Sequence, residues 1–259
     1  MPKFEEIYFD SSTGKNRIFA RKCVPDGAPR AVVQIAHGIA EHIDRYRPFM
    51  AFLAENGYAA VGNDHLGHGK SIQKPEEQGF FAEADGWTHV VDDMNKLHDL
   101  MRKDYPDVPY VFFGHSMGSF LTRTYLILHP EKYDAAIISG TGHQGKALVL
   151  GGCAAADLAV RSKGPRGYGK ALNDMAFGSY CKRIPDARTP FDWLSRDPEN
   201  VDKYIADPLC GFVAKVSLYR DMMSGIRFIG NQSNVDKMNK DAPIYFMSGE
   251  EDPVGDYGV

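Results

Sequence analysis

The residues Gly114-His115-Ser116-Met117-Gly118 stand between an apolar run and an amphipathic run. "YVFFG" before them predicts a buried strand, and "SFLTRTYLILH" after them predicts a helix. A strand that turns directly into a helix leaves no room for side chains on either side of the serine, so both flanking positions need glycine. The pattern therefore predicts a sharp turn that presents the Ser116 hydroxyl at the carboxyl end of a sheet. An ordinary glycine-rich turn with a capping serine is the alternative that this context disfavours.

Strands alternate with helices through the first 140 residues. "EEIYF" and "NRIFARKC" predict a hairpin that turns near Thr13-Gly14. "AVVQIA", "YAAVGND", "YVFFG" and "AAIISG" predict parallel strands, because continuous apolar runs are typical of strands covered on both faces. Apolar residues at helical spacing predict the two helices between the first three of these strands, the first ending at Gly57; they are Tyr46, Phe49, Met50, Leu53 and Ala54, then Val90, Met94, Leu97 and Met101. This order predicts an α/β fold with a mostly parallel sheet flanked by helices.

Residues 141–235 interrupt the alternation. "KALVLGGCAAADLAV", "TPFDWLSRD" and "SLYRDMMSGIRFI" predict helices, and "RSKGPRGYGK" predicts a basic turn. The sheet resumes at "PIYFMSG", which predicts a buried strand. An insertion of this size between two strands indicates a helical cap over the sheet, with residues 1–140 and 236–259 as the core. A separate helical domain is the alternative.

Composition narrows the possible partners and compartment. The net charge is −4 without a basic block, which argues against nucleic acid binding. The chain has no apolar run long enough for a membrane span, and "MPKFEEIYFD" lacks the apolar core that is typical of a signal peptide. Its four widely spaced cysteines match no metal or redox pattern, so we expect reduced thiols in a cytoplasmic protein; they are Cys23, Cys153, Cys181 and Cys210. No cofactor or metal is predicted.

A nucleophilic serine needs two N–H donors for the oxyanion that forms on attack. Met117, at the start of the predicted helix, supplies one. The loop "AHGIAEH" follows the "AVVQIA" strand and supplies the second from Ile39. His37 and His42 in this loop suggest a metal site, but no further ligand at suitable spacing completes one. We therefore expect both histidines to be structural.

Three other features of the sequence, one short segment and two histidines, say less about function. "GHGKS" resembles part of a phosphate-binding loop, but that pattern needs glycine where Asp64 stands, so we reject nucleotide binding. His115 adjoins the serine on a tight turn and should point away from it. His143 could line a pocket at the edge of the sheet.

Four motifs in order, "HGIAEH", "NDHLGHGKS", "GHSMG" and "SGEEDPV", resemble the monoacylglycerol lipase and lysophospholipase branch of the α/β-hydrolase superfamily. The resemblance covers nearly the whole chain and implies an ester hydrolase with a Ser-Asp-His triad and a cap that guides an acyl chain. It implies Ser116 as the nucleophile, Ile39 and Met117 as the oxyanion hole, and Asp252 as the triad acid. The loop from Asp64 to Gly69 would be structural, and Glu250 and Glu251 would belong to a solvated acidic turn.

The triad histidine is the missing part of this pattern. In this fold the histidine follows the acid, and none of the nine histidines follows Asp252. The resemblance implies one more helix and strand, with a histidine roughly 25 to 40 residues beyond Val259. Without them "PIYFMS" would be an apolar edge strand. Supply of the histidine by another segment or chain, and a non-catalytic ligand binder, are the alternatives.

The resemblance implies a single-chain acyl ester, such as a monoacylglycerol or lysophospholipid, as the substrate. Thioester, peptide or carbon–carbon bond cleavage by the same serine are alternatives. The apolar side chains of the cap could form an acyl tunnel or simply pack on the core; they are Leu148, Val149, Leu150, Leu158, Phe177, Phe212, Val213, Met222 and Met223. We expect transient contact of the cap with a lipid surface and leave the oligomeric state open.

Overall fold

The computed structural model describes residues 2–258 of the chain. Within them a seven-stranded sheet has the order β1-β2-β4-β3-β5-β6-β7. The first two strands form the predicted hairpin, β2 pairs antiparallel with β4, and the remaining pairs are parallel. The strands are β1 Lys3–Asp10, β2 Arg17–Val24, β3 Val32–Ala36, β4 Ala59–Asn63, β5 Tyr110–His115, β6 Ala135–Ser139 and β7 Ile244–Met247. The predicted α/β fold with a mostly parallel sheet is confirmed.

Helices cover both faces of this sheet and also form the insertion. They are α1 Arg47–Glu55, α2 Gly86–Asp104, α3 Met117–Leu128, α4 Lys146–Lys163, α5 Lys170–Phe177, α6 Pro198–Ala206, α7 Val216–Ile229 and α8 Gln232–Val235. On one face α1 packs on β2 and β4 around a small core that includes Phe19, Ile35 and Met50. On the other face α2, α3 and α7 enclose a larger core that includes Tyr110 and Tyr125. Both faces of the central part of the sheet are therefore buried, as the continuous apolar strands require.

The two predicted crossover helices are present. In α2 the four residues at helical spacing, Val90, Met94, Leu97 and Met101, are all buried. Helix α1 ends at Glu55, and Gly57 follows with a φ of +84°, a conformation that glycine adopts without strain. Apolar periodicity therefore located both helices, and the glycine marked the end of the first.

The insertion differs from its prediction in one segment. Residues 189–197 are not a helix but a turn with one short 3-10 segment, Asp192–Leu194. The carboxylate of Asp192 accepts bonds from the Arg188 and Thr189 N–H groups and from the Thr189 hydroxyl. These local bonds replace the helical ones, which is why short polar side chains favour turns. Helices α5 and α6, which the sequence analysis did not identify, flank this turn.

Helix α7 packs on α2 and α3 of the sheet layer as well as on α4 of the insertion. Its buried residues, such as Leu218 and Met222, belong to the larger core of the sheet. The division between a cap at 141–235 and a core elsewhere stays a prediction. These contacts favour a return to the core before Val216.

Strand β7 forms one edge of the described sheet, next to β6. The expectation that it is buried is wrong for three of its residues, since Tyr245, Phe246 and Met247 are exposed. Its position at the sheet edge explains this, because the far side of the strand has no neighbouring strand among residues 2–258. In the same range, none of the helices is long and apolar enough to cross a membrane. A cytoplasmic location stays a prediction.

Candidate active site

Ser116 lies at the turn between β5 and α3, as the sequence predicted. Its backbone has φ 53° and ψ −122°, a strained combination that persists only when the surrounding structure enforces it. The Ser116 N–H donates to the carbonyl of Ser139, 3.0 Å away on β6. A Cβ on Gly114 would lie 2.4 Å from Thr122 Oγ1, and a Cβ on Gly118 only 2.0 Å from the carbonyl oxygen of Ala36. Both flanking glycines are therefore required by close packing.

The loop after β3 lies directly beside the serine. A Cβ on Gly38 would stand 3.2 Å from the Cβ of Ser116 and 2.8 Å from Glu41 Oε1. The Gly38 N–H is held by Glu41 Oε1 and so is not available as an oxyanion donor. The next N–H along the loop belongs to Ile39, and both Ile39 and Ser116 border the same cavity. Met117 begins α3, where the first N–H groups have no partner within the helix. This arrangement supports the predicted pair of donors, which stays a prediction.

Glu41 anchors this loop and was missed by the sequence analysis. Its side chain is buried and accepts hydrogen bonds from the Gly38 N–H and the Tyr46 hydroxyl, and it forms an ion pair with Arg45. Burial raises the pKa of Glu41, but the Arg45 charge and these hydrogen bonds outweigh it and bring the pKa below its ordinary value. A charged carboxylate therefore fixes the turn beside Ser116. The sequence offered one sign of this role, since Glu41 stands three residues after Gly38 and between two histidines.

Asp252 lies in the turn after β7 and borders the same cavity as Ser116. Its carboxylate accepts bonds from Val254 N–H at 2.9 Å and from the Ser248 hydroxyl at 3.2 Å. Glu250 and Glu251 border the cavity as well and are exposed. Two groups of its own turn therefore fix the Asp252 carboxylate, whereas Glu251 pairs with the exposed Arg196 of the insertion. This difference supports the assignment of Asp252 as the candidate acid.

His115 is the one histidine of the nine that borders the cavity. Its Nδ1 lies 3.3 Å from the Ser139 hydroxyl. A Cβ on Gly140 would stand 3.1 Å from His115 Cε1 and 3.3 Å from Asp252 Oδ2, so both side chains border that glycine. His143 is exposed and lies outside the cavity. Among the described residues, no histidine ring is bonded to the Ser116 hydroxyl.

Three buried histidines cluster beneath the loop that contains Gly38. The ring of His37 lies 4.0 Å from that of His65 and 5.3 Å from that of His68, centroid to centroid. His37 bonds the Gly38 carbonyl and the His65 N–H, which agrees with the expected structural role. Burial lowers the pKa of all three rings, and that of His68 to about 4. They are therefore neutral at pH 7.

Asp64, which directly follows β4, holds two loops at the carboxyl end of the sheet. Its carboxylate accepts the N–H groups of Ile43 and Lys70, both at 2.7 Å. A Cβ on Gly69 would stand 2.1 Å from Asp64 Oδ2, so the carboxylate packs directly against this glycine. Burial raises the pKa of Asp64 to about 6 in spite of the two N–H bonds. These bonds support the structural role that the resemblance implied for the segment, which stays a prediction.

The cavity above Ser116 has a volume of about 1130 Å³. Gly38, Ser116 and Asp252 form its floor, and side chains of the insertion form its roof. Of the nine apolar cap residues predicted to line a tunnel, Phe177, Phe212 and Val213 border the cavity. Val149 and Met222 are buried elsewhere, Met223 packs against Gly152, and three leucines are exposed on α4. The described lining also includes aromatic and aliphatic residues that were not predicted: Ile184, Phe191, Trp193, Leu194 and Tyr204.

A strained serine between a parallel strand and a helix, with a cavity at the carboxyl end of the sheet, is the arrangement of the α/β-hydrolases. The profile of the Hydrolase_4 family, described as serine aminopeptidase, S33, matches residues 27–259. The chain belongs to this family. The resemblance to α/β-hydrolases related to monoacylglycerol lipase is thereby confirmed.

Individual proteins agree with this assignment. A monoacylglycerol lipase of Mycolicibacterium smegmatis is 33% identical over 202 residues, which cover 77% of this chain and 63% of that protein. A monoglyceride lipase of Mus musculus is 27% identical over 192 residues, 74% of this chain and 56% of that protein. A thermostable carboxyl esterase of Bacillus coagulans, solved with glycerol, superposes with a TM-score of 0.91 at 28% identity over 98% of this chain and 82% of that one. The chain thus spans less than two thirds of the length of the two lipases.

Proposed function

We propose that the protein is a serine hydrolase of carboxylic esters, acting on a monoacylglycerol or a similar single-chain acyl ester. Ser116 Oγ attacks the ester carbonyl, and the Ile39 and Met117 N–H groups bond to the resulting oxyanion. The alcohol leaves, and water then cleaves the acyl-enzyme. Asp252 orients the imidazole of the general base, a role that we assign to none of the nine histidines.

One observation carries this proposal. The strained Ser116, the loop of Gly38 and Ile39, and the bonded carboxylate of Asp252 all border a single cavity of about 1130 Å³. Strain at a hydroxyl that faces a cavity indicates function, because packing alone gives no reason to retain it. The cap aromatics above the serine supply an apolar wall suited to an acyl chain. The names of the two lipases support the choice of a glycerol ester.

The test uses the complete protein with p-nitrophenyl esters of increasing chain length and with monoacylglycerols. We expect Ser116→Ala to lower turnover by roughly 10⁶-fold, as loss of a serine nucleophile does elsewhere. Ser233→Ala, which removes an exposed hydroxyl on α8, is the matched control and should retain wild-type turnover. Retained turnover in Ser116→Ala would refute the nucleophile, and a preference for the shortest esters would refute the acyl-chain pocket.

Amide hydrolysis is the second candidate, favoured by the description of the family as a serine aminopeptidase. The acidic residues Glu250 and Glu251 at the cavity border could bind the α-ammonium group of a peptide. Glu251, however, is paired with Arg196 of the cap at 2.9 Å, which reduces its charge toward a ligand. Aminoacyl p-nitroanilides separate the two candidates, because an aminopeptidase should cleave them and lose that activity when their α-amino group is acetylated, whereas an acyl-ester hydrolase should leave both forms uncleaved.

We further propose that the outer face of the cap contacts a lipid surface. Leu148, Leu150 and Leu158 of α4 are 59 to 68% exposed. The same helix also carries basic residues, at Lys146, Arg161 and Lys163. Exposed leucines on a helix that also carries cations are suited to the boundary between lipid headgroups and acyl chains. Sedimentation with vesicles that contain an anionic phospholipid should remove the protein from solution, and neutral vesicles should remove less of it.

A further inference from the structure

Three side chains with metal-binding atoms converge beside the loop of Gly38 and Ile39. They are His42, Asp207 and Cys210, and their ligand atoms all lie within 4.8 Å of one another. His42 and Cys210 are each about 8% exposed, and Asp207 is half-buried. His42 belongs to the loop that follows β3, whereas Asp207 and Cys210 follow α6 of the insertion, and Asp207 stands 165 residues after His42.

The backbone arranges these atoms before any ion binds. His42 Nε2 lies 2.8 Å from Asp207 Oδ2. The other carboxylate oxygen, Oδ1, accepts the Leu209 N–H at 2.9 Å, and the Cys210 N–H donates to the Asp207 carbonyl at 3.0 Å. This tight turn holds the carboxylate and the thiol on the side that faces His42. Asp207 Oδ1 is thus fixed by the backbone, and Oδ2 is left to face the ring.

Imidazole nitrogen, thiolate sulfur and carboxylate oxygen are the three ligand types of protein zinc sites. In a tetrahedral site with the usual bond lengths of about 2.0 to 2.3 Å, ligand atoms stand roughly 3.3 to 3.6 Å apart. His42 and Asp207 would therefore separate by about half an ångström, and Cys210 Sγ would approach by about 1.5 Å at most. Arg45, a cation close to the cluster, is neutralised by its ion pair with Glu41.

We propose that His42, Asp207 and Cys210 bind a zinc ion, with water as the fourth ligand. Solvent can reach the fourth position because 30% of the Asp207 side chain is exposed. On binding, the thiol releases its proton to solvent as the Zn–S bond forms. The His42 proton that now faces Asp207 is replaced by the metal, and the ring carries its proton on Nδ1 instead.

Zinc at this position would join the cap to the loop beside Ser116. Besides the His42–Asp207 hydrogen bond, two others already link these segments, because the carbonyl of Ala40 accepts the Tyr204 hydroxyl at 2.9 Å and the Gly211 N–H at 3.0 Å. A metal held by His42 on one side and by Asp207 and Cys210 on the other would replace the direct His42–Asp207 bond with metal–ligand bonds from all three side chains. The folded state should therefore gain thermal stability from zinc, whether or not the protein hydrolyses esters.

Cobalt(II) is the spectroscopic probe for this site, since it occupies tetrahedral zinc sites and absorbs visible light there. Metal-free complete protein should bind one equivalent of cobalt with a thiolate-to-cobalt charge-transfer band, and zinc should abolish the spectrum. Cys210→Ser should lose the charge-transfer band, and His42→Gln should weaken cobalt binding at least tenfold. Cys181→Ser, which changes a half-buried cysteine elsewhere in the cap, is the matched control.

Three results would overturn the proposal: no tetrahedral cobalt spectrum at one equivalent, a charge-transfer band that survives in Cys210→Ser, or one that is lost in Cys181→Ser. Thermal melting decides the matter if His42→Gln fails to fold. Zinc should raise the Tm of the wild type and of Cys181→Ser, and it should leave the Tm of Cys210→Ser unchanged. An equal rise in all three proteins would place the ion elsewhere.

Discussion

The floor and the roof of the cavity are built in different ways. On the floor, buried polar groups are held by directed bonds, as with Glu41 on the Gly38 N–H and Asp64 on two loops. In the insertion, α4 buries only Val149 and Ala156 and has no residue in the described cavity lining, and α5, which borders the cavity at Phe177, buries none of its described residues. A floor of buried, bonded groups has one low-energy arrangement, whereas a lightly packed roof can shift at small cost. We infer that the floor determines the chemistry and that the roof determines access.

After Ser116→Ala, the largest effect on the floor should come from Asp252→Asn. An amide in place of the carboxylate would favour the wrong tautomer of the base, and turnover should fall about 10⁴-fold. Steady-state kinetics on the complete protein measure this loss. Asp256→Asn, an exposed position in the same turn, is the control. Equal turnover in the two variants would contradict the assignment of Asp252 as the acid.

The buried cluster of His37, His65 and His68 should make the free energy of unfolding sensitive to acid. The unfolded chain binds protons below the ordinary histidine pKa of 6.5, but folded His68 resists protonation until about pH 4. Wild type therefore loses stability from this ring as the pH falls from 6.5 to 4. At pH 7, His68→Asn should have a lower free energy of unfolding than the wild type. This difference should shrink by about 3 kcal/mol as the pH falls from 6.5 to 4, at 1.36 kcal/mol for each pKa unit.

Urea unfolding at several pH values measures this difference. His143→Asn removes an exposed ring and should follow the wild type throughout. If the difference in free energy of unfolding between His68→Asn and the wild type stayed constant from pH 7 to pH 4, the folded protein would bind a proton at His68 as readily as the unfolded chain does, which would contradict the lowered pKa.

Glu41→Gln tests whether the loop beside Ser116 needs a charged anchor. The amide would lose the Arg45 ion pair and weaken the hold on the Gly38 N–H, so the Ile39 N–H should shift from the place in the oxyanion hole that we propose for it. We expect kcat to fall about 10²-fold, with a smaller change in KM, as for the loss of one oxyanion donor. Glu55→Gln, exposed at the end of α1, is the control. A rise in KM at constant kcat would instead place Glu41 in substrate binding.

The smallest effect should come from the roof. Replacing Leu148, Leu150 and Leu158 together by Gln should leave turnover of a soluble short ester unchanged, because none of the three borders the cavity. Vesicle binding should weaken, since transfer of a leucine side chain out of water is worth about 1.5 to 3 kcal/mol when it is fully buried, and less at a lipid boundary. Unchanged vesicle binding would contradict a role for this face, and a large loss of turnover would contradict the separation of floor and roof.

The same contrast explains what the sequence could predict. The strands, α1 to α3 and the turn at Ser116 follow from local patterns, namely continuous apolar runs, helical spacing and flanking glycines. The roof carries weaker signals, and at Thr189 and Asp192 local side-chain bonds replaced the helix that the pattern predicted.

Contacts between distant segments were beyond the sequence. His42 was considered as a metal ligand and set aside because no partner lay at a recognisable spacing. Asp207 and Cys210 meet it only because the insertion folds back on the loop after β3. Glu41 was visible in the motif, but its role depends on burial and on the Gly38 N–H, which spacing alone does not reveal.

The most direct test of the proposed chemistry is the site of covalent labelling by a long-chain alkyl phosphonate with a p-nitrophenyl leaving group. This reagent places a tetrahedral phosphorus where the ester carbonyl would react, and peptide mass spectrometry of the inactivated complete protein locates the adduct. We predict one adduct per chain, on Ser116, with ester turnover lost in proportion to labelling. Turnover that disappears with the adduct on another residue, or that persists while Ser116 is fully labelled, would contradict the account.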